Sequence, residues 1–174
     1  MNSNSVLCVS GLITVTDLPS FLQSVNAFSA KHNVKIQSFD ARKIIDCDHL
    51  FFSIHRARES FSNGTNEAKD IGLEVLRFSS GQRKIDKAFS MGLIQGENRS
   101  IFVFFGESEE QLQNAKNAFK AEFELSEIPD LTIDEKKPFL MKQFDITDIE
   151  LETAGENRLK DLIMERVALV DVTR

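Results

Sequence analysis

An α+β fold, in which helices pack against a single mixed sheet, is what three features of this sequence predict. Segments with three-and-four apolar spacing alternate with short runs of β-branched and aromatic residues. Phe supplies all of the aromatic content, 15 copies with no Tyr or Trp, so the largest side chains lack the polar tip that suits an interface and belong in a core. A length of 174 residues with 41% hydrophobic and 28% charged content suits one domain, residues 1–174.

The elements follow in order. Val6–Val15 reads as a strand interrupted at Gly11. Asp17 caps a helix with Leu18, Phe21, Leu22, Val25 and Phe28 on its buried face and Pro19 in the first turn. Val34–Phe39 alternates as a short strand. Asp48 caps a second helix with Leu50, Phe51, Ile54, Ala57 and Phe61 inward, Arg56 and Arg58 outward, and Asn63-Gly64 closing it. Ile71–Phe78 has apolar side chains on both faces and reads as a central strand, with Arg77 on one of those faces.

A Ser79-Ser80-Gly81 turn then leads into a short helix from about Gln82 to Met91. Ile85, Ala88 and Phe89 point inward there, and Arg83, Lys84 and Lys87 point to solvent. Ile101–Phe105 reads as a buried strand, followed by a helix capped at Ser108 with Gln111 three residues on and Leu112, Ala115, Phe119 and Phe123 inward. Glu124–Glu135 is an acidic loop with room for one short strand, Pro138–Phe144 a short helix and Asn157–Glu165 a longer one. Val167–Val172 closes the chain as a strand.

The formal net charge of -6 conceals an asymmetry. Residues 31–100 carry twelve Lys and Arg against nine Asp and Glu, whereas residues 107–161 carry seven against fifteen. The first segment has the sign to meet a phosphate backbone and the second does not. Cys8 and Cys47 form no CxxC pair, the start has no basic leader, and no run reaches the roughly 20 apolar residues that span a bilayer. A cytoplasmic protein is expected.

Three groups of residues invite a chemical reading. A Ser/Gly turn entering a helix exposes amides at the positive end of the helix dipole, so Ser79 to Lys84 fits an anion, although the spacing is neither that of a P-loop nor that of a dinucleotide site. Asp46, Cys47, Asp48 and His49 include metal-ligand and nucleophile types, but adjacent residues at a helix start point apart, so a structural role is favoured and no metal or cofactor is expected. The apolar side chains of the C-terminal part, among them Leu159, Leu162 and Ile163, exceed what two short helices need for one face each. They read equally as a second small core or as a partner surface.

The run LEVLRFSSGQRKIDKAF, the LIQGENRSIFVFF after it and the terminal LIMERVALVDV together resemble the small kinase-binding regulatory subunit of the KEOPS complex. Glu165, Arg166, Ala168 and Leu169 carry the second-best match, and His49 with Ala57 suits the pattern. The resemblance implies a non-catalytic subunit, not an enzyme, that binds the complex's atypical kinase/ATPase. It further implies help in recruiting tRNA through its 3′ CCA end for threonylcarbamoyladenosine formation at position 37.

On that basis Arg83, Lys84 and Lys87, with Arg77 if it reaches the surface, are the expected tRNA contacts. Leu159, Leu162 and Ile163 are the expected kinase contacts. A homodimer in isolation would use the same terminal helix. The competing reading is a small phosphate- or nucleotide-binding enzyme using the Ser79 to Lys84 turn and His49, which requires a concave site and a titrating His.

Overall fold

The computed structural model describes residues 5–172. In chain order the elements are β1 (Ser5–Val15), α1 (Leu18–His32), β2 (Lys35–Asp40), α2 (Cys47–Asn63), α3 (Ile71–Ser79), α4 (Ile85–Ala88), β3 (Gly96–Gly106), α5 (Glu109–Glu122), α6 (Ile133–Gln143), α7 (Asp148–Ala154) and α8 (Leu159–Ala168). The fold is α+β, and its packing gathers into two compact units. One takes the described residues up to Ala41 together with 92–130; the other takes 42–91 and everything described from Leu131 onward.

The first unit is built on a three-stranded antiparallel sheet of order β1-β3-β2, in which β3 sits centrally with Val9 opposite Phe102 and Phe39 opposite Ile101. Side chains alternate across the pleat, so Val9, Ile13 and Val15 share a face with Phe102 and Phe104. Val25 and Phe28 of α1 and Leu112, Ala115 and Phe119 of α5 complete that core. Phe28 and Phe119 meet edge to face with centroids 5.3 Å apart. Asp17 caps α1 by accepting the Ser20 N–H, and Ser108 caps α5 by accepting that of Gln111. Leu22, expected on the buried face, is exposed, whereas Leu18 and Phe21 pack against this core.

Gly11 does not interrupt β1. A Cβ there would lie 2.6 Å from the Ser126 carbonyl oxygen, and it is this close approach that lets Leu12 and Ser126 exchange backbone hydrogen bonds as a single β-bridge. The bridge is the only strand-like pairing the acidic 124–135 stretch makes among the described residues.

The second unit is helical among its described residues, and here the structure departs most from the expected elements. Ile71–Ser79 is the helix α3, not a strand. Asp70 caps it through the Leu73 N–H, and seven of the eight residues from Gly72 to Ser79, all but Leu73, are buried in it, so nearly every side of the helix is covered. A short run that is apolar on all sides has no period with which to separate a buried helix from a central strand. The predicted terminal strand is likewise absent: α8 runs to Ala168, and turns closed by Val170 N–H to Val167 O and Val172 N–H to Leu169 O follow it.

The cap of α2 is Asp46 rather than Asp48, with its carboxylate accepting the His49 N–H. Asp48 therefore lies in the first turn, where its charge favours the helix dipole. Leu50, Ile54 and Ala57 are buried as expected, but Phe51 is exposed. Helix α6 starts five residues earlier than predicted because Thr132 and Glu135 form a reciprocal capping box, with Pro138 carried inside the helix. Among the described residues no helix is long and apolar enough to cross a membrane.

Candidate functional site

The segment around Ser79 to Phe89 is assembled from the end of α3, a turn and the single-turn helix α4. Because α3 is a helix, Ser79-Ser80-Gly81 lies at its C-terminal, negative pole and not at the positive start of another. Its amides are consumed internally: Ser80 N–H donates to Leu76 O, Gly81 N–H to Phe78 O and Gln82 N–H to the Ser80 Oγ, which itself donates to Arg77 O. The amide cradle expected for an anion is therefore not formed. Gly81 takes φ of 65°, where a side chain is disfavoured, and a Cβ would come within 3.2 Å of the Phe144 ring.

Arg77 does not reach the surface. It is fully buried on α3, where its Nη2 and Nε donate to the two carboxylate oxygens of Glu74 at 2.6 and 3.1 Å and its Nη1 to Asp171 at 2.9 Å. Glu74 is equally buried and also accepts from Ser60 Oγ and the Ala68 N–H. Burial pushes the Glu74 carboxyl up, but the hydrogen bonds from Arg77 and Ala68 outweigh it and hold the group below its ordinary range. The i,i+3 spacing that brings the two together is itself a helical feature of this segment. Arg83, Lys84 and Lys87, by contrast, are all exposed on the turn and on α4. Phe89, expected inward, is 57% exposed in the 3-10 turn that follows.

His49 is a strut. Its ring is fully buried, with Nε2 donating to the Ser79 carbonyl at 2.9 Å and Nδ1 accepting the Ile45 N–H. Burial pushes its pKa down to about 4, so it is neutral at physiological pH with both nitrogens engaged. That removes the titrating His which a phosphate-handling site at this turn requires. Among the described residues no group of three or more His, Cys, Asp or Glu is placed to hold a metal; Asp46 caps α2 and Asp48 lies in its first turn. Lys160 of α8 reaches that start and pairs with both Asp46 and Asp48 at 2.6 Å. The two carboxylates raise its pKa.

On α8 the expected apolar stripe divides. Leu159, Ile163 and Val167, at i, i+4 and i+8, are buried and fasten the helix to its unit, so Leu159 and Ile163 form core and not an exposed contact. Leu162 is half-buried on a different face, and Leu169, two turns further along that face, is 39% exposed with Val172 exposed beyond it. Arg166 braces the helix, its Nε donating to Phe144 O and its Nη2 to both carboxylate oxygens of Glu150. The sequence concealed Leu169 and Val172, since the strand expected at 167–172 gave them no helical face, while Phe89 carried no signal against inward placement.

The described surface thus offers half-buried Leu162 on α8, exposed Leu169 and Val172 in the turns after it, and a basic turn, without an assembled nucleophile or base. A family model for the kinase binding protein CGI-121 matches residues 14–171, from the last turn-facing residues of β1 through the segment after α8. The chain belongs to the CGI-121 family. This is the kinase-binding family that the Ser-Gly-Gln segment and the terminal helix resemble, and a kinase-binding regulatory role follows from it. No individual curated protein matches the chain in sequence.

Proposed function

We propose that this chain, acting as one domain over residues 1–174, is the non-catalytic regulatory subunit of a KEOPS complex. It binds the complex's atypical kinase/ATPase and helps recruit tRNA through its 3′ CCA end for threonylcarbamoyladenosine formation. Membership of a kinase-binding family carries the reading. The kinase contact is the outer face of α8 around Leu162, with Leu169 and Val172, and Leu159 and Ile163 hold that face in place from beneath. The tRNA contact is the set Arg83, Lys84 and Lys87, side chains that stand exposed in an otherwise acidic protein.

The test measures binding of the purified protein to tRNA and to tRNA lacking its CCA end over a salt series, with an Arg83→Glu/Lys84→Glu variant beside it. CCA-dependent, salt-sensitive binding that the variant loses is the expected result. Binding indifferent to salt or to the charge reversal would remove tRNA recruitment and leave the kinase role alone.

A further inference from the structure

Asn63 and Gly64 form the single Asn-Gly pair of the chain, and they close α2. Gly64 is the left-handed cap with φ of 66°, its N–H donating to Phe61 O at 3.2 Å while the Thr65 N–H donates to Ser60 O at 2.9 Å. Ser62, Asn63, Gly64 and Thr65 are all exposed, and a Cβ on Gly64 would meet no atom within 4 Å. The Asn63 side-chain amide has no hydrogen-bond partner among the described residues. An unengaged amide thus stands in water just before the one residue type that puts no side chain in the way of its own backbone nitrogen.

We infer that Asn63 is a site of spontaneous deamidation, gated by fraying of the α2 cap. Hydroxide takes the proton of the Gly64 N–H, and the nitrogen attacks Asn63 Cγ. The new N–Cγ bond closes a five-membered imide as the Cγ–Nδ2 bond breaks, and ammonia leaves with a proton from water. Water then opens the imide at either carbonyl. Cleavage of the N–Cγ bond leaves aspartate, cleavage at the main-chain carbonyl leaves isoaspartate, and the net change is water consumed and ammonia released. Helical ψ at Asn63 turns the Gly64 nitrogen away from Cγ, and Phe61 O holds its proton, so the closed cap is unreactive. Opening breaks only the two terminal bonds of an exposed turn, which a helix end does far more readily than its middle.

Both products harm the cap that formed them. Aspartate places a negative charge at the negative pole of α2. Isoaspartate routes the main chain through the side chain and lengthens it by one methylene, so the bonds to Phe61 O and Ser60 O no longer close together. Ser60 also donates through its Oγ to buried Glu74, the partner of Arg77, which carries the disturbance toward α3. The inference is independent of the kinase and tRNA readings.

The folded chain and an unstructured peptide of residues 58–69 are held in mildly alkaline buffer at physiological temperature. Peptide-resolved mass spectrometry follows the conversion of amide to carboxylate, and methyl transfer from S-adenosylmethionine by an isoaspartyl methyltransferase detects the isoaspartate. The folded chain is expected to yield both isomers at Asn63, roughly 5- to 150-fold more slowly than the peptide, the factor for breaking two net hydrogen bonds. Asn63→Gln is expected to stop the conversion at this position with the melting temperature unchanged, and Asn63→Asp to lower that temperature by roughly 1–4 °C. The inference is overturned if the conversion falls on another Asn, if no isoaspartate forms, or if Asn63→Gln converts as fast as the parent. It is also overturned if the folded chain lags the peptide by about 4,000-fold or more, the retardation that passage through global unfolding imposes.

Discussion

Replacing Arg77 by Met separates the structural assignment of this residue from the surface role its sequence context invites. Met retains most of the length and apolar stem, so the change removes charge and hydrogen bonds rather than opening a large cavity. Three bonds disappear, two to Glu74 and one to Asp171. Asp171 is partly exposed and regains water, but Glu74 is left buried and ionised with only Ser60 Oγ and the Ala68 N–H as partners. Removing one partner of a buried pair costs about 3–5 kcal/mol. For a chain of this size that lowers the melting temperature by roughly 6–20 °C. Circular dichroism melting and urea titration at pH 7 measure it. Adding Glu74→Gln removes the stranded charge and is expected to recover most of the loss. A variant with parental stability and a reduced salt slope for tRNA would show that Arg77 faces solvent, and would refute the buried pairing on which the description of α3 rests.

Three further outcomes follow from the same geometry. The depressed pKa of His49 means that the unfolded chain takes up a proton that the folded chain refuses, so stability is retained above about pH 6.5 and declines as pH falls toward 4, by about 1.4 kcal/mol per unit. His49→Gln should remove that part of the pH dependence, and an unchanged slope in urea midpoints between pH 4 and 6.5 would contradict a neutral buried ring. Gly81→Ala, forced to φ of 65° against the Phe144 ring, should cost about 1–2 kcal/mol in the same titration, and a neutral result would mean that the turn relaxes freely. Leu169→Asp should leave stability within about 0.5 kcal/mol while weakening kinase association at least about tenfold in calorimetry, whereas Ile163→Asp should cost on the order of 4 kcal/mol of stability, so only the first reports on docking.

What could be read ahead of the structure was whatever has local chemistry. Asp17 and Ser108 announce helix starts because a carboxylate or hydroxyl before an apolar-periodic run has one common use, and both cap as expected. The faces of α1 and α5 follow from period, Leu22 excepted, and the strand at β3 from the brevity and β-branched and aromatic content of its apolar run. Residues 71–79 illustrate the limit. Their helix is set by burial on almost all sides and by a Glu74-Arg77 pair whose stability depends on Ser60, Ala68 and Asp171, partners up to 94 residues away. Once that segment is misassigned, the Ser-Gly turn inverts its polarity and the apparent amide cradle becomes a helix end. The three cations beyond it remained legible because an exposed turn needs no tertiary explanation for Arg or Lys.

The acidity of the chain and its basic turn are reconciled by where each charge is spent. The turn is positioned by carbonyl acceptors and buried groups: His49 on Ser79 O, Ser80 Oγ on Arg77 O, Gly81 against Phe144, and Gln143 on Ser90. None of those interactions requires the charge of Lys84 or Lys87, so these side chains are open to selection for a ligand without loss of fold. The outer face of α8 is independent of them in the same way, being carried by Leu159, Ile163 and Val167. Yet both surfaces stand on α3, since Arg77 links Glu74 of that helix to Asp171 just beyond α8, and the turn is α3's own end. Lys84 and Leu169 variants should therefore each remove one partner and spare the other, while Arg77→Met should weaken both through the shared support. If Arg77→Met affected only one partner, the two surfaces would not share α3 as their foundation.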